Sequence, residues 1–235
     1  VKLLALDTAS GQCSAALLLD DVLLTREVAT SRDHAKLILP MVQSLLAEAA
    51  LGLTALDGIA FGRGPGSFTG LRIAASVTQG LAFGADLPVL PVSDLRALAL
   101  QAQRLIPAAH VPPRILACMD ARMQEVYWAL FEIAPDGQIG EAIEQVTAPA
   151  ALIAEAMPHR ATAGGWLAAG RGLEAYAIEL AVIGLAQAHL LPLAEPHAQD
   201  VALLGAAQLR AGGALPAEGA VPVYLRDQVA HPPRP

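Results

Sequence analysis

The sequence predicts an α/β protein of two duplicated lobes, each a mixed sheet with helices, and three observations carry that prediction. First, residues 3–18 can be laid over residues 116–131. Leu3 then meets Leu116, Leu6 meets Met119 and Asp7 meets Asp120, while Ala16, Leu17 and Leu18 meet Ala129, Leu130 and Phe131. Second, both copies read as an apolar strand, an aspartate, a short polar turn and another apolar strand, and both run on through strands into helices. Third, 54% of the 235 residues are hydrophobic and 16% are charged, which supports a large core in one large domain or two small ones. Aromatics make up only 4%, so Ala, Leu and Val must fill that core.

Taken in order, strands are expected near 2–7, 13–20 and 22–28, with Asp20-Asp21 as the turn between the last two. A helix follows over about 33–50, because Ile38, Met41, Val42, Leu45, Leu46 and Ala49 keep the i, i+3, i+4, i+7 spacing of one buried stripe. Pro40 lies inside it and should bend it or remove one backbone bond. A strand at 56–61, a helix at 70–84, a strand near Val89 and a helix at 93–106 complete the first half. Pro112-Pro113 marks the junction. The second half repeats strands near 115–120, 125–133 and 142–146, with the hairpin signal Asp136-Gly137 between the last two. Helices follow near 149–157, 173–187 and 198–211, and the tail His231-Pro232-Pro233-Arg234-Pro235 is expected to be disordered. The expected division is a lobe over 1–106, a second over 107–197, a C-terminal helix and segment over 198–228 packing back near the first, and a tail over 229–235.

The stretch Gly62-Arg63-Gly64-Pro65-Gly66-Ser67-Phe68-Thr69-Gly70-Leu71-Arg72 is the most distinctive in the chain. Such a loop gathers backbone N–H groups at a helix N-terminus, where an anion or phosphate would bind. It is not a P-loop, since no Gly-Lys-Ser/Thr closes it, and its glycine spacing is wrong for a dinucleotide fingerprint. Ser67 lacks the Gly-x-Ser-x-Gly elbow of a nucleophile. Ser67 and Thr69 are instead placed to cap the helix that begins near Gly70.

Composition narrows the function further. The net charge is −7 with no cluster of Lys and Arg, so contact with RNA is expected only through a partner. The opening run Val1 to Leu6 is too short for a signal-peptide core, and no run of about 18 uncharged apolar residues exists, so no membrane span is expected. Cys13 and Cys118 are the only cysteines and lie far apart, which fits a reduced cytoplasmic protein. The six histidines form no i, i+4 pair and no His-Glu-x-x-His, so no metal site is expected.

Several pieces together carry a family resemblance: Leu6-Asp7-Thr8-Ala9, Arg32-Asp33-His34, the glycine loop, Asp120-Ala121-Arg122-Met123 with Glu125-Val126-Tyr127, and Pro222-Val223-Tyr224-Leu225-Arg226. Across nearly its whole length the chain resembles the bacterial TsaB (YeaZ) family. That resemblance implies actin-like (ribonuclease-H-like) lobes, the fold of actin, sugar kinases and Hsp70 ATPases. It also implies a place in the machinery that makes threonylcarbamoyladenosine beside the anticodon of tRNAs. There the family is the partner of the catalytic paralogue TsaD in a heterodimer, and an ATPase subunit, TsaE, works with that pair. Through the same resemblance, Asp94 and Leu98 occupy the positions of the paralogue's two metal-binding histidines, and a leucine cannot ligate.

The site expectations follow. Asp7, Gly11, Gly64, Gly66, Ser67 and Asp120 form a vestigial phosphate cleft with at most weak ATP or ADP binding and no required cofactor. The turn Ala121-Arg122-Met123-Gln124 has no glycine, so the second of the fold's two phosphate grips is degenerate. For Asp7 and Asp120 the simpler reading is that each closes a turn by accepting from backbone N–H groups. Ala163-Gly164-Gly165-Trp166 matches a Gly-Gly turn under adenosine in the same superfamily, or a plain tight turn. No catalytic residue and no metal ligand are expected. The partner surface is assigned to the two helices 33–50 and 70–84, through His34, Leu37, Met41, Leu45, Ile73, Ala74 and Val77, with a second copy of the chain taking that face when TsaD is absent. His34 reads either as a surface residue at a helix start or as part of this interface. The rivals are an autonomous ATP-dependent kinase or phosphotransferase, opposed by the missing second glycine loop, and a metallopeptidase, opposed by the histidine inventory.

Overall fold

The structure, a computed structural model, describes residues 1–30, 32–107, 110–156, 166–181 and 190–226. The first sheet holds β1 (Lys2–Asp7), β2 (Gln12–Leu19), β3 (Val22–Ala29), β4 (Gly58–Gly64) and β5 (Val89–Ser93) in the order β3-β2-β1-β4-β5. The second holds β6 (Arg114–Asp120), β7 (Val126–Glu132), β8 (Gln145–Thr147), β9 (Leu167–Ala169) and β10 (Leu190–Leu191) in the order β10-β9-β6-β7-β8. Read from the other edge, the second order is the first repeated. In each sheet the first three strands in sequence form an antiparallel meander, and the last two are parallel to the first strand. The duplication seen in the sequence is therefore a duplication of topology.

Both faces of the first sheet are covered, which is why β1 reads as a continuous apolar run. Leu4 and Leu6 face α1 (His34–Glu48) and α2 (Phe68–Ala85) on one side. Leu3 and Ala5 face α7 (Ala198–Arg210) on the other. The last helix of the chain thus returns to the first sheet. Between the sheets lies α3 (Asp94–Leu105), which gives Ala97 to the core under α7 and Leu95 and Leu98 to the core of the second sheet. Arg104 fixes α3 to α7 with a two-pronged pair to the fully buried Asp200, at 2.7 and 3.0 Å. That fork geometry suits guanidinium and carboxylate.

Pro40 lies inside α1 as expected, on its exposed side, and the helix runs past it to Glu48. Other expectations need correction. After α4 (Pro149–Ala156), the helix expected over 173–187 appears as two short ones, α5 (Arg171–Ala175) and α6 (Ala177–Leu180), parted at Tyr176, whose φ of −124° is not helical. The short strands β9 and β10 gave no sequence signal, since two or three residues of Leu and Ala carry no period. The second-half strand expected at 142–146 starts later, at Gln145. The Gly164-Gly165 turn and the tail over 229–235 lie outside the described residues, as do part of the expected helix over 173–187 and the end of the C-terminal segment. Among the described residues no helix is long and apolar enough to cross a membrane.

Candidate functional site

Because the topology is repeated, the β1–β2 and β6–β7 turns face a common cleft of about 860 Å³. The glycine loop, Arg171, Glu195 and residues 223–226 complete its walls. Asp7 and Asp120 end the equivalent strands and do the same work. Asp7 Oδ1 accepts from the Ala9 N–H and Asp120 Oδ1 from the Arg122 N–H, both at 2.8 Å. Each carboxylate closes its own turn.

The glycine loop is folded down onto the first turn. Ser67 N–H donates to the Ala9 carbonyl at 2.7 Å, and the Thr8 hydroxyl donates to the Gly70 carbonyl at 2.7 Å. A Cβ on Gly66 would stand 2.6 Å from the Ala9 carbonyl oxygen, and one on Gly70 would stand 1.8 Å from that of Thr8. The glycines at 66 and 70 are thus explained by backbone packing against the first turn. Ser67 caps α2 by accepting from the Gly70 N–H. Gly64 holds a φ of +117°, a conformation open to glycine, and its N–H donates to Asp94 Oδ2.

Beneath this loop lies a pair the sequence did not suggest. Asp94 and Asp7 are both completely buried, and Asp94 Oδ1 and Asp7 Oδ2 accept no hydrogen bond from a described residue. Burial pushes the Asp7 carboxyl up, and burial together with the charge of Asp7 pushes Asp94 well above the usual carboxylate range. Both causes favour the protonated form of Asp94. Gly62 leaves room for this pair, since a Cβ there would lie 2.3 Å from Asp94 Oδ1. A carboxyl with a raised native pKa adds stability that is complete below its ordinary value, 3.8, and fades as pH rises through the native value. Asp94→Asn copies the protonated acid, with an oxygen for the Gly64 N–H and an amide for Asp7. The variant is expected to lose less stability than the parent between pH 5 and pH 9, measured by urea melts across that range. A parallel loss in both proteins would show that Asp94 is ionised.

On the other side of the first turn, Glu195 is buried and accepts from the Ser10 hydroxyl at 2.9 Å and from Arg171 Nε. Its oxygens lie 3.2 and 3.3 Å from where a Gly11 Cβ would be. The second turn is held in turn by Arg226, which donates to the Ala121 carbonyl and pairs with Glu125. Arg122, Met123 and Gln124 in this turn all have positive φ, an unfavourable run for side-chain-bearing residues. The segment before Arg226 crosses from the first lobe, where Val223 N–H donates to the Arg63 carbonyl at 2.7 Å. Tyr224 there meets the Phe68 ring at 5.4 Å and accepts from Arg72 Nε at 3.0 Å.

Of the residues expected to form a phosphate cleft, Gly11, Gly66 and Ser67 line it on one side and Asp120 on the other, whereas Asp7 and Gly64 are buried behind its wall. The Glu195 carboxylate stands on the first turn, the glycine loop packs against that turn, and Arg122, Met123 and Gln124 stand exposed at the second. Among the described residues no three His, Cys, Asp or Glu side chains gather as a metal site. The interface assignment needs correction at four positions. Leu45 and Ala74 are fully enclosed in the core and Met41 nearly so. His34 is buried too, with Nε2 3.2 Å from the Ser10 carbonyl oxygen, where it supports the first turn. Leu37, Ile73 and Val77 stay half-buried at the edge of the helix pair. Glu195 and Arg171 carry no spacing or motif that links them to the cleft, and Arg226, though it ends the Pro222–Arg226 motif, is not among the residues expected there. Only the folded chain brings Ser10 to Glu195.

Comparison with known proteins agrees with this architecture. The family model described as TsaD, tRNA N6-adenosine threonylcarbamoyltransferase, matches residues 27–233. The tRNA threonylcarbamoyladenosine biosynthesis protein TsaB of Escherichia coli K12 is 38% identical over 234 residues, covering 98% of this chain and 96% of that protein. A solved structure of YeaZ from Pseudomonas aeruginosa superposes with a TM-score of 0.78 at 39% identity, covering 95% of this chain and 99% of that one. Another from the same organism, described as similar to peptidase YeaZ, gives a TM-score of 0.84 at 42% identity, covering 96% and 99%.

Proposed function

This chain belongs to the TsaB family, within the wider family of the TsaD transferase, and on that footing we propose that it is the non-catalytic partner of TsaD in tRNA threonylcarbamoyladenosine synthesis. The observation that carries this reading is the end-to-end match to a tRNA threonylcarbamoyladenosine biosynthesis protein, 98% of one chain against 96% of the other. The positions that resemble the paralogue's metal ligands support the non-catalytic part. Asp94 is turned inward to Gly64 and Asp7, and Leu98 is buried in the core beside the second sheet. Neither presents a donor to the cleft.

In this reading the partner surface is the exposed side of α1 and α2. Leu37, Ile73 and Val77 border it, and Leu39, Phe83, Gly80 and Gly84 stand out on it. Nothing lies within 4 Å of a Cβ placed on Gly80 or Gly84, so another helix could come close there. The same face takes a second copy when TsaD is absent. TsaE joins through the complex, and tRNA is held chiefly by the partner, in keeping with the net charge of −7. The protein works without a nucleotide of its own, in the cytoplasm. Co-purification with TsaD tests the pairing: a stable one-to-one complex is the expected result. Failure of two well-folded proteins to associate at micromolar concentration would contradict it.

A further inference from the structure

Independently of the role in tRNA modification, we propose that the first turn of the cleft is an oxyanion site whose resident anion is the chain's own Glu195 carboxylate. Its donors are the Ser10 hydroxyl, at 2.9 Å, and the Arg171 guanidinium. Gly11 admits the carboxylate closely, because any Cβ would crowd both of its oxygens. The backbone of the turn is fixed from three other directions. Asp7 holds the Ala9 N–H, the Ala9 carbonyl accepts from Ser67, and the Ser10 carbonyl is met by His34. A rigid turn with a hydroxyl and a guanidinium aimed at one point is a preorganised anion receptor, and preorganisation is what makes such a receptor bind.

The occupant arrives from a different part of the chain. Glu195 follows β10 and precedes α7, so it belongs to the link between the second sheet and the helix on the first. Arg171 opens α5 in the second lobe, and Ser10 lies in the first. The carboxylate therefore both fills the receptor and ties the lobes together on this side. Arg226 does the equivalent on the far side by joining the C-terminal segment to the second turn. A free phosphate or carboxylate cannot enter the occupied site without displacing a tethered one of the same charge. The high effective concentration of a tethered group favours the resident.

Emptying the site tests this directly. In Glu195→Ala the receptor keeps Ser10, Gly11 and Arg171 but loses its anion. Inorganic phosphate raised from roughly 1 to 100 mM at constant ionic strength should then raise the melting temperature of the variant along a saturating curve. Sulfate should act likewise and chloride should not, and the parent protein should show no saturable response. Adding Arg171→Ala to Glu195→Ala should abolish the response, whereas Glu195→Gln, which fills the space, should lack it from the start. If Glu195→Ala does not fold in chloride buffer, folding restored by phosphate is the same signature. A variant that is unresponsive to phosphate, or unfolded in both salts, would overturn the proposal. So would an unchanged response after removal of Arg171.

Discussion

Gly70→Ala is expected to cost about 4 kcal/mol or more and to leave little folded protein at 37 °C. A Cβ at this position would stand 1.8 Å from the Thr8 carbonyl oxygen and 2.9 Å from its carbon. Both are backbone atoms, so no side chain can swing away. Thr8 is itself tied to this helix through its hydroxyl. Relief requires α2 to shift off the first turn, which would break the Ser67 to Ala9 bond and loosen the core beneath. Gly80→Ala in the same helix is the control. Nothing surrounds that position, and alanine there should add about 0.5 to 1 kcal/mol through helix propensity. Urea unfolding of the two variants side by side reads the difference. A Gly70→Ala protein as stable as the parent would show that the loop does not pack on the first turn.

Gly80→Glu is expected to abolish pairing with TsaD while leaving the fold intact. The position is exposed on the outer side of α2, and glutamate suits a helix better than glycine. In a close helix contact it would place an unpaired charge in a dry interface, a cost of several kcal/mol and about a thousandfold or more in affinity. Met41→Glu should behave in the opposite way. Met41 is 8% exposed and packs in the core under α1, so the charge is expected to unfold the protein before any partner is met. Circular dichroism with pull-down separates the two. Normal binding by a folded Gly80→Glu variant would move the interface away from α2.

Much of this architecture could be read from residues because its signals are local or repeated. The buried stripe Ile38, Met41, Val42 and Leu45 announces α1, and the matching aspartates Asp7 and Asp120 reveal the duplication that sets both sheets. The same stripe, read alone, also suits a partner surface. A helix with one apolar face needs a cover, and periodicity does not say whether its own sheet or another chain provides it. The first sheet covers Met41 and Leu45. For the cleft, the sequence pointed to the turns and the glycine loop but not to what occupies them. Asp94 looks like an ordinary helix-start acid until Gly62 and Gly64 bring it beneath the loop. Glu195 lies 185 residues from Ser10, and only tertiary structure joins them.

In its proposed role this chain is a necessary, non-catalytic partner of TsaD in threonylcarbamoyl transfer to tRNA. The most direct measurement is a tRNA modification assay with TsaD, TsaE, this chain, a threonylcarbamoyl donor and substrate tRNA, with single subunits omitted in turn. Modification is predicted to require this chain together with TsaD, and this chain without TsaD is predicted to yield none. Undiminished modification in its absence, or modification by this chain alone, would contradict the claim.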